Sequence, residues 1–108
     1  MSAVAGTFRV ASPGSTFTST FVINEIAYSF TGSFGGTSVE PCNGVVMLTY
    51  AKLEDLTSSR NFNGVIGKTS AKLILTNNVE ISGSLDNPIM VANSVTGTGR
   101  WGVTRDAE

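Results

Sequence analysis

From Thr16 to Phe34 the chain alternates large apolar side chains with small polar ones at a period of two. Phe17, Phe21 and Ile23 fall on odd positions, and Ile26, Tyr28, Phe30 and Phe34 fall on even ones. That period predicts two strands, each turning one face to a core. The phase flips at Asn24-Glu25, as it must when a two-residue turn joins two strands that serve the same core. The pair predicts antiparallel β-structure with one dry face and one wet face.

The period continues along the chain. Gly6 to Ala11 sets Phe8 and Val10 inward against Thr7 and Arg9 outward. Val45 to Ala51 is apolar on both faces at its start and reads as the best-covered strand. Ser59 to Asn63 is a short strand around Phe62. Ser70 to Thr76 aligns Ala71, Leu73 and Leu75, and Val79 to Leu85 aligns Val79, Ile81 and Leu85. Ile89 to Ala92 and Val95 to Val103 complete the series, with a polar tail from Arg105. Turn chemistry separates the strands at Pro13-Gly14, Gly35 to Ser38, Asn43-Gly44, Asn63-Gly64, Asn77-Asn78 and Asp86-Asn87-Pro88. Pro41 bars a central strand at its position. Lys52 to Leu56 is the one plausible helical turn.

About eight to ten short strands at intervals of about 8–12 residues predict a small antiparallel β-barrel or a strongly curved β-sandwich. The class is all-β, and residues 1–108 make one domain. The connections read mostly as hairpins, which favours an up-and-down meander over a Greek key. One short pattern recurs in Phe30-Thr-Gly-Ser-Phe34, Ile81-Ser-Gly-Ser-Leu85 and Val95-Thr-Gly-Thr-Gly99. A glycine on the core face lets a strand coil sharply, or lets a bulky neighbour lie across it. The spacings of the three are too irregular for a sequence repeat.

Composition changes the picture of the surface. Only 14% of residues are charged, against about a quarter in an average domain. Ser, Thr, Asn and Gly fill the difference, so the wet face is hydroxyl and amide. Such a surface suits neutral polar partners, a glycan among them, or another copy of the chain. The net charge is −1 and the seven Lys and Arg residues form no run. Nucleic-acid binding needs a basic stripe, and none is present. A net charge near zero gives little repulsion between copies, which favours a homo-oligomer.

Cys42 is the single cysteine, so no intramolecular disulfide forms, as suits a reducing compartment. Met-Ser-Ala-Val-Ala-Gly has neither a basic n-region nor an apolar core for a signal peptide. No apolar run reaches the length of a transmembrane segment, and no asparagine stands in Asn-x-Ser/Thr. The expected compartment is the cytoplasm, with a trimmed secreted form as the alternative.

Absent residue types exclude most catalytic chemistry. The chain has no histidine, which removes Ser-His-Asp and Cys-His catalysis and the usual zinc sites. No metal and no cofactor is expected. Gly97-Thr-Gly-Arg-Trp-Gly102 fits a dinucleotide fingerprint in letters only, because no helix follows it. Glu25, Glu40, Glu54, Asp55, Glu80 and Asp86 sit on turns or outer faces, and no spacing pairs two of them. Cys42 has no histidine or nearby lysine to activate it.

Aromatic residues remain as the candidate ligand-binding set: Phe17, Phe21, Tyr28, Phe30, Tyr50 and Trp101. A barrel interior lined by phenols, an indole and hydroxyls holds one small ligand. The competing role for each is core packing with its polar tip satisfied. Arg100 and Trp101 alternate to opposite faces, which places Arg100 on the surface.

Gly6-Thr7-Phe8 resembles the Gly-x-Trp opening of the first strand in calycins, the lipocalin and avidin-like barrels. Arg100-Trp101 is similar to the arginine that closes those barrels beneath the first aromatic. Phe8 stands in place of the tryptophan, and the single tryptophan of this chain departs from the several that line avidin-like cavities. The resemblance implies a barrel architecture and carries no binding residue.

The expected function is a non-catalytic binding or interaction module for a neutral ligand, either a carbohydrate or a small hydrophobic molecule. One alternative is a self-associating subunit of a larger assembly, through the face formed by Thr16, Thr18, Thr20 and Val22. Another is a cofactor-free cyclase or isomerase that holds a reactive ligand in shape.

Overall fold

The alternation becomes strand in a computed structural model that describes residues 2–11, 14–36 and 38–105. Its strands are β1 (Ser2–Val10), β2 (Thr16–Ile23), β3 (Ile26–Phe34), β4 (Cys42–Tyr50), β5 (Ser59–Ile66), β6 (Ser70–Leu75), β7 (Glu80–Leu85) and β8 (Asn93–Arg105). A single 3-10 turn, Leu53–Asp55, lies between β4 and β5. The β2–β3 turn is the predicted one: Asn24 (φ 52°) and Glu25 (φ 68°) are both left-handed, the geometry that matches strand twist in a two-residue hairpin. Pro13, Thr37 and the tail beyond Arg105 lie outside the described residues.

All the strands join one closed antiparallel barrel, in the order β1-β2-β3-β8-β5-β6-β7-β4. This order corrects the expected meander. Hairpins join β1 to β2, β2 to β3, β5 to β6 and β6 to β7. The links after β3, β4 and β7 instead cross an end of the barrel. Around the ring, β4-β1-β2-β3 is one Greek key, and β8-β5-β6-β7 is a second with the same internal order. Lipocalin and streptavidin barrels run up and down. In this ring β1 and β8 are not neighbours, so the calycin resemblance does not extend to topology.

The two Greek keys share their register. Phe17 pairs with Gly32 and Gly32 with Gly99; in the second unit Ala71 pairs with Gly83 and Gly83 with Val46. Phe30 opposes Trp101 as Ile81 opposes Leu48. Phe34 opposes Gly97 as Leu85 opposes Gly44. Phe30-Thr-Gly-Ser-Phe34 and Ile81-Ser-Gly-Ser-Leu85 therefore occupy equivalent places, on β3 and β7. The third copy, Val95 to Gly99, lies on β8, and its Gly97 and Gly99 pair with the β3 copy.

Each crossing link leaves an apolar residue over a barrel end. Val39, from the β3–β4 link, and Ile89, from the β7–β8 link, are buried at one end. The links meet where Met90 N donates to Glu40 Oε1 at 2.9 Å. Leu56, between the two units, is fully buried at the other end. There Asn77 Nδ2 donates to the Asp55 carbonyl and Arg60 Nε to that of Thr57. Ile89 to Ala92, read as a strand, is irregular, because Ile89 serves as a stopper.

Three other readings change. Asn43-Gly44 and Asn63-Gly64 lie inside β4 and β5 and make no turn. A Cβ at Gly44 would strike the Ser84 carbonyl, and one at Gly64 the Lys72 carbonyl, so close strand approach is what requires glycine there. Val45 lies within a strand covered on one face only: its own side chain is 61% exposed.

Candidate functional site

β1 runs between β2 and β4, and its Thr7 and Arg9 point outward by the alternation that buries Phe8 and Val10. Arg9 is opposed by Thr18 on β2 and by Asn43 on β4. Thr7 is opposed by Thr20 and by Val45. Arg9 is the one charged residue in β4, β1, β2 and β3. Among the described residues, none of the side-chain hydrogen bonds engages its guanidinium.

Three clefts meet at this residue. The first, of about 500 Å³, follows the β1–β2 seam and is lined by Thr7, Arg9, Ala11, Thr16, Phe17, Thr18 and Thr20. The second, of about 360 Å³, follows the β1–β4 seam and adds Asn43, Val45 and Asp86. The third, of about 260 Å³, lies at the barrel rim between Arg9, Pro41, Cys42 and the Asn87-Pro88-Ile89 segment. The wall behind the first cleft is pinned. Ser19 is fully buried and donates from Oγ to the Thr7 carbonyl at 2.7 Å. Thr20 Oγ1 pairs with Ser29 Oγ at 3.1 Å. Thr7, Thr16 and Thr18 keep outward hydroxyls, each able to donate and accept.

The candidates from the sequence belong to the interior side of the wall, and Phe17 alone among them also borders one of the three clefts. Phe17, Phe21, Tyr28, Phe30, Tyr50 and Trp101 are all buried and belong to one core cluster. Phe17 is the hub of an aromatic group, with ring centroids 5.5 Å from Phe8, 5.9 Å from Phe30 and 5.2 Å from both Phe34 and Phe62. Phe30 stands 5.0 Å from Trp101. Tyr28 and Tyr50 share with Trp101 the barrel end that Leu56 closes. Trp101 Nε1 is buried without a hydrogen-bond partner. None of the three clefts draws on Tyr28, Tyr50 or Trp101.

Core-face glycines make room for these rings. A Cβ on Gly32 would stand 2.6 Å from Phe17 Cε1, and one on Gly99 would overlap Phe30. This realises the expected bulky neighbour across a glycine.

Cys42 is buried at the rim. Its thiol is pushed above the ordinary 9.0, first by desolvation and then by the Glu40 carboxylate. Among the described residues no three His, Cys, Asp or Glu side chains gather as a metal site would need. No helix is long and apolar enough to cross a membrane. Arg9 escaped the sequence reading because a lone outward arginine is ordinary. Its distinction arises only when the ring order groups β1 with three uncharged strands, β2 and β4 on its flanks and β3 beyond β2. No family model, curated protein or solved structure matches the chain.

Proposed function

We propose that the chain is a single-domain, non-catalytic binding module that presents its outer wall, centred on Arg9, to a hydroxyl-rich ligand of the carbohydrate class. The observation that carries this reading is the convergence of three clefts on the only charge of a four-strand face. Hydroxyls of Thr7, Thr16 and Thr18 supply both donors and acceptors to such a ligand. In this reading the six aromatic candidates form the rigid support of the wall. Binding sites held by packed elements keep their geometry better than sites on loops.

The test is an amide chemical-shift titration of the whole chain with a panel of oligosaccharides. Perturbations centred on Thr7, Arg9 and Thr16 to Thr20 are expected. Perturbations at Tyr28, Tyr50 and Trp101, with a shift in tryptophan emission, would instead assign the ligand to the interior. Silence across the panel would remove the carbohydrate reading.

Self-association is the second reading, favoured by an apolar row at the other end of the same face. Met47 pairs with Ala5, and Val22 with Ala27; Met47 is 43% and Val22 60% exposed. Light scattering at high concentration tests it, and a strict monomer would end it.

A further inference from the structure

The two flanks of Arg9 differ in sign. The β1–β2 cleft is lined by hydroxyls and holds no acidic side chain. The β1–β4 cleft holds Asp86 and Asn43, with Asp86 N donating to the Asn43 carbonyl at 2.8 Å. An anionic group beside Arg9 therefore meets donors on the β2 side and a like charge on the β4 side. We infer that the β1–β2 cleft takes the carboxylate of an acidic sugar, with Arg9 as its partner and Thr16 and Thr18 as flanking donors. This inference rests on the outer-wall reading and specifies its ligand.

Two physical arguments select this chemistry. A guanidinium presents a planar fork that matches a carboxylate with two parallel hydrogen bonds. One cation on four strands suits a ligand carrying one charge per contact. A polysulfated chain or a nucleic acid gains its affinity by neutralising many charges together, and β4, β1, β2 and β3 offer only Arg9. The Asn43–Asp86 flank then accepts hydroxyls of the adjoining residue of the ligand.

The experiment is the same titration with a matched pair, trigalacturonate and its methyl ester. The two share every hydroxyl and differ in charge. The acid is expected to bind about tenfold more tightly than the ester, the difference between a charge-assisted and a neutral hydrogen bond. Arg9→Gln should bring the acid down to the level of the ester, with a much smaller loss for the ester, which keeps its contacts to the threonine hydroxyls. Arg9→Lys should fall between, because it keeps the charge and loses the fork. Asp86→Asn should widen the ratio of acid to ester affinity by removing a like charge, and the advantage of the acid should shrink as salt is added.

Equal binding of acid and ester to the unaltered chain would overturn the carboxylate assignment and leave the outer-wall reading standing. So would an acid preference that survives Arg9→Gln. Equal loss of both ligands in Arg9→Gln would do the same. Failure of both ligands to perturb Thr7 to Arg9 or Thr16 to Thr20 would overturn the inference. Failure of the whole neutral panel as well would take the outer-wall reading with it.

Discussion

Gly32→Ala tests the interior on which the outer wall depends. Gly32 is buried on β3 beneath the hub of the aromatic group. The added methyl would lie 2.6 and 2.8 Å from Phe17 Cε1 and Cζ, and 3.0 Å from Phe62 Cε2. Relaxed carbon contacts are about 3.5–4.0 Å, so the Phe17 ring must move by about 1 Å. It has no open side, since Phe8, Phe30, Phe34 and Phe62 surround it. Overpacking of this kind costs about 1–3 kcal/mol. Removing a strand glycine returns about 0.5–1 kcal/mol of chain entropy. The net loss should be about 1–2 kcal/mol, read in urea unfolding followed by Trp101 emission, with a melting temperature lower by about 5–15 °C. Phe17→Leu, alone destabilising, should partly rescue Gly32→Ala by vacating the space the methyl needs, with a coupling of about 1 kcal/mol or more. A neutral Gly32→Ala, or strict additivity with Phe17→Leu, would show that the interior has slack and would refute the tight packing of Phe17 over Gly32.

Leu56→Ala removes the stopper between the two Greek keys and should cost about 2–5 kcal/mol, as for a core leucine; a loss under about 0.5 kcal/mol in the same urea assay would make the 51–58 link a mere tether. Ser19→Ala deletes the buried bond to the Thr7 carbonyl and should cost about 1 kcal/mol; hydrogen exchange should quicken along β1 and β2 first, and unchanged exchange there would deny Ser19 its pinning role. For Cys42 the folded thiol ionises at higher pH than the unfolded one, because burial and Glu40 both oppose the thiolate. Its contribution to stability is therefore whole below the ordinary thiol value of 9.0 and is lost as pH rises through it. Urea midpoints at pH 7.5 and pH 10 should fall further for the unaltered chain than for Cys42→Ala, and equal falls would count against a buried thiol.

What the sequence disclosed follows the range over which each signal acts. Alternation is local, and it placed Phe8, Val10, Phe17, Phe21, Phe30, Leu73, Leu75 and Ile81 on the buried face, where the structure has them. The flip at Asn24-Glu25 was legible because two left-handed residues fix a hairpin within a few positions. Ring order was not legible. The choice between meander and Greek key lies in which strand a link returns to, and links such as 51–58 carry no mark of their destination. The Asn-Gly dipeptides misled for a related reason. Gly44 and Gly64 answer to carbonyls on β7 and β6, partners remote in sequence, while the local dipeptide reads as a turn. The candidate site suffered most, because it is a property of neighbouring strands. No window along the chain contains Arg9, Thr18, Asn43 and Asp86 together.

The two Greek keys show how one frame supports two different surfaces. At equivalent rows Phe17 on β2 lies over Gly32 on β3, with Gly99 on β8 next in the row beneath Phe30, whereas Ala71 on β6 is followed by Gly83 on β7 and Val46 on β4. The row beneath the Phe17 and Phe30 rings thus carries two glycines, and the equivalent row carries an alanine, a valine and a single glycine. Volume has moved between strands while the register stayed fixed, as close packing requires of any core that keeps its shape. Because the inward positions absorb this exchange, the outward positions are free of it. The first unit uses that freedom to clear charge from three of its strands and keep only Arg9 on the fourth. The second unit carries Arg60, Lys72, Glu80 and Arg100 on its strands. A surface with several charges scattered over it offers an anion several competing contacts, whereas a surface with a single cation among hydroxyls offers one. The asymmetry between two otherwise matched halves is therefore the strongest reason to look for ligand recognition on β1, and to treat the second unit as the scaffold that closes the barrel behind it.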